Sequence, residues 1–349
     1  RRVGKVICWW ITSLGWMKGA DVIYHPNREL EDICYMPEHI ELVRKEIHKN
    51  FGKYFSDFIE TQAGKAITAA KAAEIAKALG ATTRSRTPVA SKQKEAFLNI
   101  IQYAIDEFEK DREKYADLMD LEALEEYADD PSNFKNTVLK NQCPIIRTTL
   151  QNKRAKELDK YRMDFRVADP NELLIVVQNL TAFAISYYED NYDPDSYDEI
   201  TSIEELGLSD LDTDDYTVYG VIGGGIKSHL LYKLNPEVLP NRSRDAIWAL
   251  YYLTDKKTFD CRQDSEFLMI NVDKGTTQQN YFYPYELFSI YALHIFQLLN
   301  AEANRIGVEL DINYRYVFVD AFLSFVAESH AAEIDFLKSA SGEVEYAYH

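Results

Sequence analysis

The sequence predicts a predominantly helical α+β protein, with a helical N-terminal half and a mixed α/β C-terminal domain. Three observations carry this expectation. Apolar residues recur at helical spacing through most of the first 166 residues. A stretch without a single Lys or Arg, residues 167–226, then separates the two halves. Beyond it, helical patterns alternate with two short β-rich runs, 216–222 and 267–272. The expected units are residues 1–166, mainly helical; 167–215, an acidic connector; and 216–349, mixed α+β. Hydrophobic residues make up 46% and charged residues 28% of 349 positions, enough for a large buried core. That composition excludes disorder throughout, a collagen-like chain and a disulfide scaffold.

The elements follow in order. Arg1, Arg2 and Lys5 before the apolar residues 6–16 imitate a secretion signal. However, Thr12 and Ser13 interrupt the run and no small-residue cleavage site follows, so a buried strand or hairpin is expected there. Pro37 opens a helix to about Thr61, with Ile40, Val43, Ile47 and Phe51 on one side. A second helix spans 65–79 and stops at Gly80. A third runs over 91–119 with Phe97, Ile101, Ile105 and Phe108 on one face, and a basic helix follows over 147–161. Residues 173–185 are apolar and fit helix or strand. In the second half, 228–234, 244–254, 284–304 and 320–338 read as helices. The third of these is apolar on nearly every side and therefore buried, with His294 as a core histidine.

Charge is distributed unevenly. Residues 167–226 hold fourteen acids and supply −14 of the formal net −18. Just upstream, residues 135–166 hold nine bases against three acids, a local net of +6. A bulk-cationic nucleic-acid coat protein is excluded, whereas a local basic patch is not. The plain reading is a solvated helix followed by an acidic linker. The sharper reading has the basic face contacting phosphates through Lys153, Arg154, Lys156, Lys160 and Arg162. Alternatively, the acidic, tyrosine-rich tract (Tyr187, Tyr188, Tyr192, Tyr197) docks on a basic protein partner or mimics a nucleic-acid backbone.

Residues 220–228 (GVIGGGIKS) lie between an expected strand and an expected helix. Glycine-rich loops in that context offer backbone N–H groups to phosphate. Gly223, Gly224, Gly225, Lys227 and Ser228, with Arg242 and Arg244 nearby, are the candidate phosphate-binding residues. The segment departs from GxxxxGK[ST] by the insertion of Ile226, which displaces the lysine. A tight turn with close backbone packing is the commoner use of three glycines. Residues 72–88 resemble the first half of a helix-turn-helix, but Arg86 and Pro88 depart from it. Asp264 and Glu266, beside the expected strand 267–272, are the candidate ligands for Mg²⁺. Asp210, Asp212 and Asp214 have calcium-loop spacing but lack its glycine and bidentate glutamate. The amides and aromatics of 278–285 suit either base reading or core filling.

Cys8, Cys34, Cys143 and Cys261 are far apart and form no CxxC pair, so neither a zinc site nor a disulfide framework is expected. A reducing cytoplasm fits that usage. No run of 18 apolar residues is present, so no membrane span is expected. The leading functional expectation is a nucleic-acid-associated protein, of bacterial defence or restriction type. The alternatives are a non-catalytic interaction protein acting through the acidic tract, and a nucleotide-binding enzyme using Lys227 and Ser228 with Mg²⁺.

Overall fold

Proline at a first helical position, with apolar residues every third or fourth place after it, starts the long first helix. In the computed structural model, which describes residues 32–75, 89–153, 155, 158–261, 268 and 283–340, α1 spans Pro37–Ile75. A short 3₁₀ turn, Asp32–Tyr35, precedes it. Ile40, Val43, Ile47, Phe51, Phe55 and Phe58 form its buried stripe. Two helices were expected here; the helix instead continues through Gly64, whose cost inside a helix is only about 1 kcal/mol. The next helix, α2, covers Val89–Leu118 and buries Phe97, Ile100, Phe108 and Tyr115.

Short helices follow, several of them started by a capping side chain. Asp120 accepts from Ala123 N–H at the head of α3, Leu121–Glu125. Asp130 and Pro131 open α4, Pro131–Asn133, which passes directly into a π-helical stretch, Phe134–Gln142. The expected basic helix is divided into α5, Pro144–Gln151, and α6, Asp159–Val167. Asp169 and Pro170 then start α7, Pro170–Asn191. In all three starts the aspartate satisfies an otherwise orphaned N–H; in two of them the next residue is a proline that has no N–H to satisfy. A capping box of Ser202 and Glu205 holds α8, Ile203–Leu206, and Gly207 ends it in the left-handed region at φ 64°. The remaining helices are α9, Gly224–Leu234; α10, Arg244–Leu253; α11, Tyr285–Arg305; α12, Arg315–Ser329; and α13, Ala331–Ala340.

The core is built around α11, which is apolar on most sides as its sequence requires. It packs on α1 and α12, and α12 packs on α10. Phe51 and Phe58 of α1 meet Phe322 of α12 with ring centroids 5.2 and 5.5 Å apart, and Phe58 also meets Phe325 at 5.3 Å. His294 is half-buried, with Nε2 3.1 Å from the Arg44 carbonyl. Residues 167–215 contribute to the same core through Leu173, Val177, Leu180, Tyr187, Tyr197, Leu206 and Leu211.

The mixed α/β C-terminal domain is not found. The described residues are 77% helical and contain no sheet. The expected strand 216–222 is a tight turn with one antiparallel bridge, Val218 to Ile222. Gly220, at φ 78°, lets the chain fold back at once, so that Val218 N–H and Ile222 N–H bond each other's carbonyls at 3.1 and 2.8 Å. The alternation of polar and apolar residues there buries Val218, Val221 and Ile222 under a turn instead of pairing a strand. Of the second expected strand, 267–272, only Leu268 is among the described residues.

Candidate ligand-binding cavity

Four helices enclose a cavity of about 310 Å³: α1, α2, α9 and α12. Helical spacing places its residues. Ala104 and Phe108 are one turn apart on α2, His229 and Lys233 on α9, and Ala321 and Phe325 on α12. Phe58, Ile100, Tyr232 and Val317 complete apolar walls, and His229, Lys233 and Asp320 are among the polar groups on the lining.

Each of those three groups has its own polar partner. Lys233 is buried and its Nζ donates to the Phe108 carbonyl and to Asp111 Oδ1, each at 2.7 Å, while lying 4.3 Å from the Phe108 ring centroid. The Lys233 charge is therefore answered by Asp111. The Tyr115 hydroxyl accepts from Ile145 N–H at 3.0 Å and stands 3.2 Å from His229 Nε2, which leaves the hydroxyl hydrogen for that nitrogen. Burial, reinforced by Lys233, lowers His229 to about 4, so it is a neutral acceptor near pH 7. Asn241 donates to Asp320 Oδ1 at 2.9 Å. Burial raises Asp320 to about 6, against the opposing pull of Asn241 and Lys233. Asp320 makes no ion pair with a lysine or arginine among the described residues. The arrangement is an apolar chamber with one uncompensated carboxyl, a neutral imidazole and a neutralised ammonium.

The expected phosphate-binding residues do come together, at the start of α9. Gly223 is the residue before the helix and Gly224 and Gly225 are its first two. Lys227 is buried, and its Nζ donates to the Leu211 carbonyl and to Thr217 Oγ1, the latter at 3.3 Å. Ser228 is buried and donates to the Gly225 carbonyl at 3.1 Å. Arg242 is buried, with Nε donating to the Tyr283 carbonyl at 2.7 Å and its guanidinium lying directly against Gly224. Arg244 is the first residue of α10. Burial lowers Lys227 to about 8 and Arg242 to about 10, and Asp212 opposes both shifts. Asp212 itself caps α11, accepting from Tyr285 N–H at 2.8 Å and from Glu286 N–H at 3.3 Å. The anion among these bases is thus a side chain of the protein.

The basic segment is heavily engaged with its own backbone. Arg162 donates to the Asn152 and Ala155 carbonyls at 2.8 and 3.0 Å, and Lys160 pairs with Asp164 at 2.9 Å. Lys135 is buried against the Arg166 and Ala168 carbonyls. Lys140, Lys153 and Arg166 are exposed. Arg154, Lys156, Asp264 and Glu266 lie outside the described residues, as do most of the helix-turn-helix segment and residues 278–282. Tyr283 and Tyr285, at the end of that amide–aromatic run, are buried. Tyr187 and Tyr197 of the acidic tract are also buried, and Tyr188 is exposed.

Sequence reasoning missed the cavity because its polar residues come from separate helices. His229 and Lys233, four apart and so on one face of α9, were the one local signal. No helix among the described residues is long and apolar enough to cross a membrane. No protein-family model, curated protein or solved structure matches the chain.

Proposed function

We propose that the protein binds a small organic cation, an amine on an apolar body, in the cavity between α1, α2, α9 and α12. The observation that carries this reading is Asp320, a carboxyl on the cavity lining that makes no ion pair with a lysine or arginine among the described residues. Lys233 adds no net positive charge, because Asp111 neutralises it. Of the other acids on the lining, Glu107 is paired with Lys110, which leaves Asp320 as the carboxyl that carries the site. Tyr232, Phe58 and Phe325 supply aromatic surface suited to an ammonium as well as to its apolar body, while the Phe108 ring already meets Lys233 and Arg112. The volume is at the lower end of small-molecule pockets, which fits a ligand of modest size. The test is a thermal-shift series with benzylamine, benzyl alcohol and benzoate. The amine should raise Tm, the other two should not, and Asp320→Asn should abolish the response. Equal shifts by amine and alcohol would refute a charge-selective site.

A second reading, contact with nucleic acid, is favoured by one observation: Lys140, Lys153 and Arg166 remain exposed around α5 and α6. Fluorescence anisotropy with duplex DNA and single-stranded RNA across salt tests it. Reversing all three charges should weaken binding and flatten its salt dependence. No binding by the unmodified chain at low salt would remove this reading.

A further inference from the structure

We propose that Cys34, His39 and Cys261 form a binding site for a soft divalent metal ion of the Zn²⁺ class. Spacing along the chain predicts no such site, because Cys34 and Cys261 are separated by 227 positions. The fold removes that separation. Cys34 sits in the 3₁₀ turn Asp32–Tyr35, His39 in the first turn of α1, and Cys261 shortly after α10.

The distances are those of a ligand set. Cys34 Sγ lies 3.5 Å from Cys261 Sγ, and Cys261 Sγ lies 3.8 Å from His39 Nε2. All three ligand atoms fall within 4.8 Å of one another. A tetrahedral ion with Zn–S of about 2.3 Å and Zn–N of about 2.0–2.1 Å puts two sulfurs roughly 3.8 Å apart and a sulfur and a nitrogen roughly 3.6 Å apart. Both of these separations agree within a few tenths of an ångström, and the third pair, Cys34 and His39, lies within 4.8 Å. Neither sulfur is in a disulfide.

The backbone leading to Cys261 is specialised. Phe259 and Asp260 both have positive φ, 53° and 63°, which for side chains other than glycine costs roughly 1–2 kcal/mol each. The Phe259 ring meets His39 edge-on at 5.9 Å, which fixes the imidazole plane beside the thiols. Cys34 and His39 are buried and Cys261 is half-buried. Two thiolates and an imidazole suit Zn²⁺ better than Mg²⁺ or Ca²⁺, which take oxygen ligands. Three protein ligands leave the fourth tetrahedral position to water or an external donor. An ion here would join the start of α1 to the segment after α10, so its binding free energy would add to the stability of the fold.

The experiment is titration of the reduced full-length chain with Co²⁺ as a spectroscopic substitute. One equivalent should produce a thiolate-to-cobalt charge-transfer band and tetrahedral visible bands, both displaced by Zn²⁺. The charge-transfer intensity should fall by about half in Cys34→Ser or Cys261→Ser, and stay unchanged in Cys143→Ser. His39→Cys should raise it by about half, a gain that an unfolded variant would not give. No band in reduced chain with native circular dichroism would overturn the proposal. So would a band that Cys34→Ser and Cys261→Ser leave intact, or a Cys34–Cys261 disulfide that takes up no metal after reduction.

Discussion

Arg315 Nε donates to Asp198 Oδ1 across 2.9 Å, joining the first residue of α12 to the acidic tract. The Arg315 side chain is wholly buried. Its guanidinium lies 4.6 Å from the Tyr197 ring centroid and 5.2 Å from that of Phe296, and it donates a further bond to the Glu237 carbonyl. Tyr197 is held in turn by the Val238 carbonyl at 3.0 Å and the Tyr316 hydroxyl at 2.9 Å. The segment with fourteen acids and no base therefore meets a cation supplied by its own chain.

Asp198→Ala should lower stability by about 2 kcal/mol, read as a drop in the urea midpoint. That is below the roughly 3–5 kcal/mol of a fully buried pair; Asp198 is 35% exposed. Adding Arg315→Met to Asp198→Ala should recover part of the loss, because the unanswered charge goes with it. An unchanged midpoint in Asp198→Ala would mean that the rings and the Glu237 carbonyl suffice.

Gly224→Ala and Gly225→Ala should behave oppositely. A methyl group at Gly224 runs into the Arg242 guanidinium, whereas nothing lies within 4 Å of one at Gly225. Thermal melts should place Gly224→Ala well below the parent, and Gly225→Ala level with it or up to about 1 kcal/mol above. Equal loss in both would contradict the open space beside Gly225.

Lys227 makes stability depend on alkaline pH. Its pKa is about 8 in the fold and 10.5 in the open chain. The unfolded state therefore holds more protons between these values, and stability contributed at this site rises with pH across them. The gain amounts to about 3 kcal/mol by the top of that window. The difference in unfolding free energy between the parent and Lys227→Met should shift towards the parent from pH 8 to 10. A flat difference would place the lysine in water.

Asp320 has the opposite sign. Its folded value of about 6 exceeds the ordinary 3.8, so the site loses stability as pH rises from about 4 through about 6. Asp320→Asn should melt like the parent at pH 4 and above it, by about 3 kcal/mol, at pH 7.5. Amine binding should run the other way, weakening as the carboxylate is protonated below pH 6. An Asp320→Asn variant less stable than the parent at pH 7.5 would contradict the uncompensated carboxyl.

Much of the helical framework can be read from residues. Pro37 opens a helix as expected, the expected helix 244–254 is found as α10, and the largely apolar α11 is buried as expected. Local pattern failed where a turn and a strand share the same alternation, at Val218, Gly220 and Ile222. It also could not convey that Lys227 and Arg242 face an internal carboxylate, since Asp212 reaches them only through the fold. The partners of Asp320 come from α9 and the loop that follows it, at positions that no spacing rule links.

The stacking of α1 on α12 also sets the order in which the protein can be completed during synthesis. Phe51 and Phe58 emerge early, yet the rings that cover them, Phe322 and Phe325, are made some 270 residues later. At roughly 5–20 residues per second, a nascent chain carries an uncovered aromatic stripe for tens of seconds. Products that stop short of α12 would keep that stripe exposed and become substrates for chaperones and proteases.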